Sequence, residues 1–163
     1  MSGIQKLAKI LKEKNIRISG AESCTGGMVA AEITSVDGIS AVFNESFVTY
    51  SNDSKHRNLG VSNETLEKFG AVSEECAREM AEGAAERSGA GIAFSVTGIA
   101  GPAGGTKEKP VGTVCFGVFF KGKTVSKTAH FDGNREKVRR SSVDFVIEMM
   151  IETIGNSKED SNG

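Results

Sequence analysis

Helical and strand-like hydrophobic patterns alternate along this chain from end to end, and that alternation restricts its fold more than any other feature. Ile4, Leu7, Ile10 and Leu11 recur at helical spacing among lysines and predict a helix over 3–14. IRISGAES reads as a short strand, and residues 25–34 as a helix with Met28, Val29, Ala31 and Ile33 supplying apolar surface. After the turn at Val36-Asp37-Gly38, NESFVTY (44–50) reads as a strand. SNDSKHRNLG predicts a short helix capped by Ser51 or Asn52 and stopped by Gly60, and SNETLEKFG repeats that grammar with Ser62 and Thr65. Ser73 and two early acids open a helix over 73–88 that Gly89 ends. GIAFSVTG is a continuous apolar run, the mark of a buried strand. A Gly- and Pro-rich loop over 98–110 leads into a hairpin, 111–120 and 123–131, turning at Lys121-Gly122-Lys123. A long helix over 134–154 turns Val138, Phe145, Val146, Met149 and Met150 inward. The pattern predicts one α/β domain over 1–154, a three-layer α/β/α fold with a mixed β-sheet. The tail 155–163 lacks apolar residues and is expected to be disordered.

Composition narrows the function. Twenty Lys and Arg face twenty-one Asp and Glu. That balance gives no electrostatic reason to expect nucleic acid or an anionic membrane as partner. With no Trp and one Tyr, platforms for stacking single-stranded nucleic acid are scarce. No apolar run is long enough for a signal peptide or a membrane span. Cys24, Cys76 and Cys115 share no CxxC spacing. They argue against a disulfide framework or a zinc site and for reduced thiols in a cytoplasmic protein. Nothing in the pattern calls for a metal or a cofactor.

Four stretches could carry chemistry. In Glu22-Ser23-Cys24-Thr25-Gly26-Gly27 a strand stops and turns into a helix through small residues. Ser23 or Thr25 there is either a helix cap or a hydroxyl exposed beside free backbone N–H groups able to bind an oxyanion. In Tyr50-Ser51-Asn52-Asp53-Ser54-Lys55-His56-Arg57, Lys55 is either a base or part of a solvated helix face. The third is the loop after the buried strand: Thr97, Gly98, Gly101, Gly104, Gly105 and Thr106 sit where α/β sheets gather ligands, although neither GxGxxG nor GxxxxGK[ST] is present. In the fourth, GNREKVRR, arginines stand in the first turns of a helix, against its dipole, which a bound anion would justify.

Together AESCTGG, TSVDGIS, YSNDSK, GAVSEE, VTGIAGPAGGTKEKPVGTV and GNREKVRR resemble the CinA C-terminal domain family, also known as nicotinamide-nucleotide amidohydrolases. The resemblance runs from about residue 5 to about residue 152 and is to the stand-alone form, without the molybdopterin-binding-like domain that precedes it in longer members. It implies hydrolysis of the carboxamide of nicotinamide mononucleotide (NMN) to nicotinic acid mononucleotide and ammonia, in NAD recycling, by a Ser/Lys mechanism without metal. By motif, Ser23 would be the nucleophile and Lys55 the general base, with Tyr50 and Thr97 as further site residues. Thr25, Gly26, Gly27, the loop glycines and Thr106 would touch substrate, and Arg139 or Arg135 would meet the nucleotide's anionic end. Cys24 is the rival nucleophile. Glu45-Ser46-Phe47 and Cys115-Phe116 depart from the family pattern. The resemblance also implies a homo-oligomer, a dimer or larger. The competing readings are a nucleotide-binding or interaction module without turnover, and an amidase for another small carboxamide.

Overall fold

The computed structural model describes residues 1–161. Its elements run α1 (Gly3–Lys14), β1 (Ile18–Glu22), α2 (Met28–Thr34), a 3-10 turn (Ile39–Ala41), β2 (Phe47–Val48), α3 (Asn52–Leu59), α4 (Asn63–Phe69), α5 (Glu74–Ser88), β3 (Ile92–Gly98), β4 (Thr113–Phe120), β5 (Lys123–His130) and α6 (Arg135–Ser161). The five strands form one mixed sheet in the order β2-β1-β3-β4-β5. β2, β1 and β3 are parallel, while β4 and β5 are antiparallel additions. The fold is the three-layer α/β/α arrangement that the alternation predicts.

The two faces of the sheet are chemically different. Ile92, Phe94 and Val96 of β3 and Val114, Phe116 and Val118 of β4 enter a large core under α1, α2 and α6. The alternate positions are smaller: Ala21 and Ala93 meet Cys76, Met80 and Ala84 of α5, with Leu59 of α3 packed against them. Small side chains on both surfaces bring α5 close to the sheet, and Ser95 Oγ reaches the Ala77 carbonyl directly. Stacked Phe116 and Phe145, centroids 4.5 Å apart, fasten α6 to the other face.

The short helices begin and end where their caps require. Ser51, Ser62 and Ser73 each accept from the backbone N–H three residues on, and Gly60 and Gly89 close α3 and α5 with positive φ. Three expectations need correction. The strand expected over 44–50 pairs only at Phe47–Val48, since residues 44–46 find no sheet partner. The helix expected from residue 25 starts at Met28, because Gly26 and Gly27 take φ of +56° and +107°, which no right-handed helix accepts. The expected disordered tail is helical through Ser161, a continuation of α6, and residues 162–163 lie outside the described residues.

Candidate active site

Parallel pairing assembles the site. β1, β2 and β3 point the same way, with Glu22 opposite both Val48 and Val96, so the residues following each strand emerge at one edge of the sheet. Open α/β sheets bind ligands at that edge. The Ser23 N–H donates to Val96 O and the Thr49 N–H to Glu22 O, extending the pairing one residue into the loops. Ser23 thereby stands at the end of β1, Thr49 and Tyr50 at the end of β2, and Thr97 at the end of β3.

A cavity of about 290 Å³ opens at this edge. Ser23, Tyr50, Lys55, Thr97, Gly98, Gly101, Gly104 and Arg135 all line it. Lys55, from the first turn of α3, reaches inward until Nζ lies 3.0 Å from Ser23 Oγ and 2.9 Å from the Thr49 carbonyl. Its side chain is 2% exposed, and no carboxylate pairs with it among the described residues. Burial therefore pushes the Lys55 pKa below the ordinary lysine value. A desolvated amine with a lowered pKa, in contact with a serine hydroxyl, is the arrangement that activates a nucleophile.

The rival thiol lines the same cavity but is held protonated. Cys24 packs into the large apolar core, and burial raises its pKa to about 11, which keeps it protonated near neutral pH. Thr97 closes the back of the cavity, its hydroxyl donating to Ala71 O at 2.9 Å. Tyr50 is 62% exposed at the mouth, and its hydroxyl accepts from Arg135 Nη2 at 3.0 Å. Arg135 Nη1 also donates to Gly101 O, tying α6 to the glycine loop.

Other expected site residues fall outside the cavity lining. Arg139 lies one turn beyond Arg135 and donates instead to the carbonyls of Cys24 and Thr25. Of the two arginines left open by the sequence, Arg135 faces the cavity and Arg139 braces the serine loop. The Thr25 hydroxyl is buried with no hydrogen-bond partner, so it caps nothing. Gly26 and Gly27 shape the turn without lining the cavity. Gly105 is packed on Val111, and Thr106 pairs with Lys109 in a local turn.

The helix-start N–H groups expected to hold an oxyanion are already occupied. Val29 and Ala30 donate to the carboxylate of Glu22, Met28 to Thr25 O and Ala31 to Gly27 O. Among the described residues, the Cys24, Thr25 and Gly27 amides are the ones in this turn without a protein acceptor, and of the three Cys24 alone lines the cavity. The sequence reading missed Glu22, hidden as one more strand position, and the lining residues Asn52, Ala71 and Val72. Asn52 was visible only as a candidate cap, and Ala71 and Val72 only within GAVSEE.

A larger cleft, about 650 Å³, lies behind Val72 between α4, α5 and the β4–β5 hairpin. Part of its wall is a local network in which Arg78 donates to Ser126, and Ser126 and Thr128 donate to Glu74. No helix among the described residues is long and apolar enough to cross a membrane. No group of three His, Cys, Asp or Glu gathers there to hold a metal ion.

Fold and site together define an α/β domain with a buried serine–lysine pair in a cleft at the carboxyl ends of parallel strands. The chain belongs to the CinA family: the CinA C-terminal domain matches residues 2–154. A Clostridioides difficile relative whose name links it to competence-damage induction is 54% identical over 147 residues, 90% of this chain and 35% of that protein. A CinA-like protein of Kosmotoga olearia is 49% identical over 144 residues, again 35% of its length. The chain thus spans about a third of the curated relatives it matches. Among solved structures, the competence damage-inducible protein A of Klebsiella pneumoniae superposes with a TM-score of 0.91 at 37% identity, covering 94% of this chain and 95% of that one.

Proposed function

We propose that this domain hydrolyses the carboxamide of NMN to nicotinic acid mononucleotide and ammonia, with Ser23 as nucleophile and Lys55 as its general base. The contact of Lys55 Nζ with Ser23 Oγ at 3.0 Å, made by a buried lysine without a carboxylate, carries the reading. In the first half-reaction the neutral amine takes the Ser23 proton as Oγ bonds to the carboxamide carbon. The Cys24 amide, next to the nucleophile and in the cavity lining, is the candidate donor to the developing oxyanion. The C–N bond then breaks, and the Lys55 ammonium returns its proton to the leaving nitrogen, which departs as ammonia. Water attacks the resulting ester as Lys55 takes its proton, the acyl C–Oγ bond breaks, and the Lys55 ammonium returns that proton to Ser23 Oγ as the acid leaves. Thr49 O keeps Lys55 in place throughout by accepting one of its N–H bonds.

The cavity supports a small anionic substrate. Its lining contains the guanidinium of Arg135 and no carboxylate. Arg135 at the mouth, fixed by Tyr50 and Gly101, would meet the phosphate while the carboxamide reaches Ser23. Incubating purified protein with NMN and measuring ammonia and nicotinic acid mononucleotide tests the reading. Product from the wild type and none from Ser23→Ala is expected. NMN binding without product in the wild type would make this a nucleotide-binding module instead.

A further inference from the structure

Glu22 immediately precedes Ser23, is fully buried, and belongs to none of the reacting groups. Its position in β1 turns it toward the layer of α1, α2 and α6, where its neighbours on the same face are Ile18 and Gly20. A carboxylate in such surroundings is costly unless charge-assisted hydrogen bonds compensate it. Both oxygens are used: Oε1 accepts from the Val29 N–H at 2.9 Å and Oε2 from the Ala30 N–H at 3.0 Å. Those are the orphan donors of the first turn of α2, and the negative charge also faces the positive end of the helix.

The usual cap is absent here. The N-cap position is Gly27, which has no side chain to offer. The helix start is held from the strand behind it, and the turn 23–27 is closed into a ring. The main chain of Glu22 enters the turn, and its side chain grips the residues leaving it. Inside the ring the Gly26 N–H donates to Ser23 O and the Met28 N–H to Thr25 O, each at 3.0 Å. From outside, Arg139 holds the Cys24 and Thr25 carbonyls.

We propose that Glu22 is a positioning residue for the nucleophile: its carboxylate, by clamping α2 to the end of β1, sets the turn that places Ser23 Oγ against Lys55 Nζ. This rests on the reading of Ser23 as nucleophile. Glu22 touches neither the cavity nor a reacting atom, so its effect travels through the backbone of residues 23–28. A Gln at this position keeps one acceptor but turns an NH2 toward the second amide, opening the clamp at nearly constant volume.

The test compares wild type, Glu22→Gln and Glu22→Asp, each at equal folded concentration by near-ultraviolet circular dichroism. Two readouts are taken: the rate at which a sulfonyl fluoride labels Ser23, located by peptide mass spectrometry, and kcat and KM for NMN. Slower labelling of both variants, by tenfold or more, with kcat lowered to match and KM within twofold of wild type, is expected. The pH dependence of labelling should keep its midpoint, because Lys55 itself is untouched. If Glu22→Gln does not fold, Glu22→Asp carries the test, since it keeps the charge at the helix start while shortening the reach. Labelling at the wild-type rate in the folded variants overturns the proposal, as does a loss seen only in KM. A wild type that labels at Ser23 but leaves NMN intact refutes the substrate reading, while the labelling rates still decide the role of Glu22. A wild-type Ser23 that never labels overturns both.

Discussion

Gly83→Ala sets two measurable effects against each other and couples packing to the site. Gly83 lies in the middle of α5, where helix propensity alone favours alanine by about 1 kcal/mol. A Cβ there would lie 2.8 Å from Leu59 C and 3.0 Å from Leu59 Cα, and closer still to Leu59 O. Carbon contacts are comfortable from about 3.5 Å, so the end of α3 would have to retreat by something on the order of 0.5–1 Å. Both surfaces are backbone, and neither can swing aside as a side chain would. Overpacking of this kind costs about 1–3 kcal/mol or more, which outweighs the propensity gain. α3 also carries Lys55, one turn before Leu59, and a 3.0 Å contact stretched by that amount leaves hydrogen-bond range. The expected result is a net loss of up to about 2 kcal/mol in urea unfolding with unchanged m, and a kcat per folded molecule about 10- to 100-fold lower. A Gly83→Ala protein more stable than wild type with unchanged kcat would refute the argument that α5 sets the position of Lys55.

Other expectations follow from single groups. In wild type, stability should climb with pH between the lowered pKa of Lys55 and the ordinary 10.5, because the unfolded chain holds that proton when the native state has lost it. Chemical unfolding of Lys55→Met should lack that rise. Cys24→Ala should keep NMN turnover within a few-fold, since a thiol with a pKa of about 11 is ionised in only about one molecule in ten thousand at pH 7. Turnover lost in Cys24→Ala but retained in Ser23→Ala would transfer the nucleophile to the cysteine. Arg135→Ala should raise KM for NMN roughly 10- to 100-fold with a smaller change in kcat, measured by steady-state ammonia release.

Much of this was legible because the signals are local. Ser51, Ser62 and Ser73 cap their helices by reaching three residues ahead, and Gly60 and Gly89 end them, so neighbours in sequence suffice. Ser23, Tyr50, Lys55 and Thr97 stood out because they lie in the motifs AESCTGG, YSNDSK and VTGIAGPAGGT that resemble the family's. What sequence could not show is how those motifs meet, which depends on β1 lying between β2 and β3 in parallel register. Glu22 escaped notice for the same reason, since its partners Val29 and Ala30 are reached only after the chain has turned back. Arg135 and Arg139 share a helical face one turn apart, and only the depth at which α6 crosses the serine loop separates their tasks. The helical continuation 155–161 has a different cause. Extending an existing helix needs no new nucleus, so a polar stretch of sequence can prolong α6.

The claim that Ser23 and Lys55 act as one unit is tested most directly by kcat/KM for NMN in Ser23→Ala, Lys55→Met and the double variant. Groups that act together are non-additive, so each single change should cost about 10³-fold or more and the double change no more than the worse single one. Losses that multiply in the double variant, or a Lys55→Met protein retaining more than about a tenth of wild-type kcat/KM, would contradict the shared role.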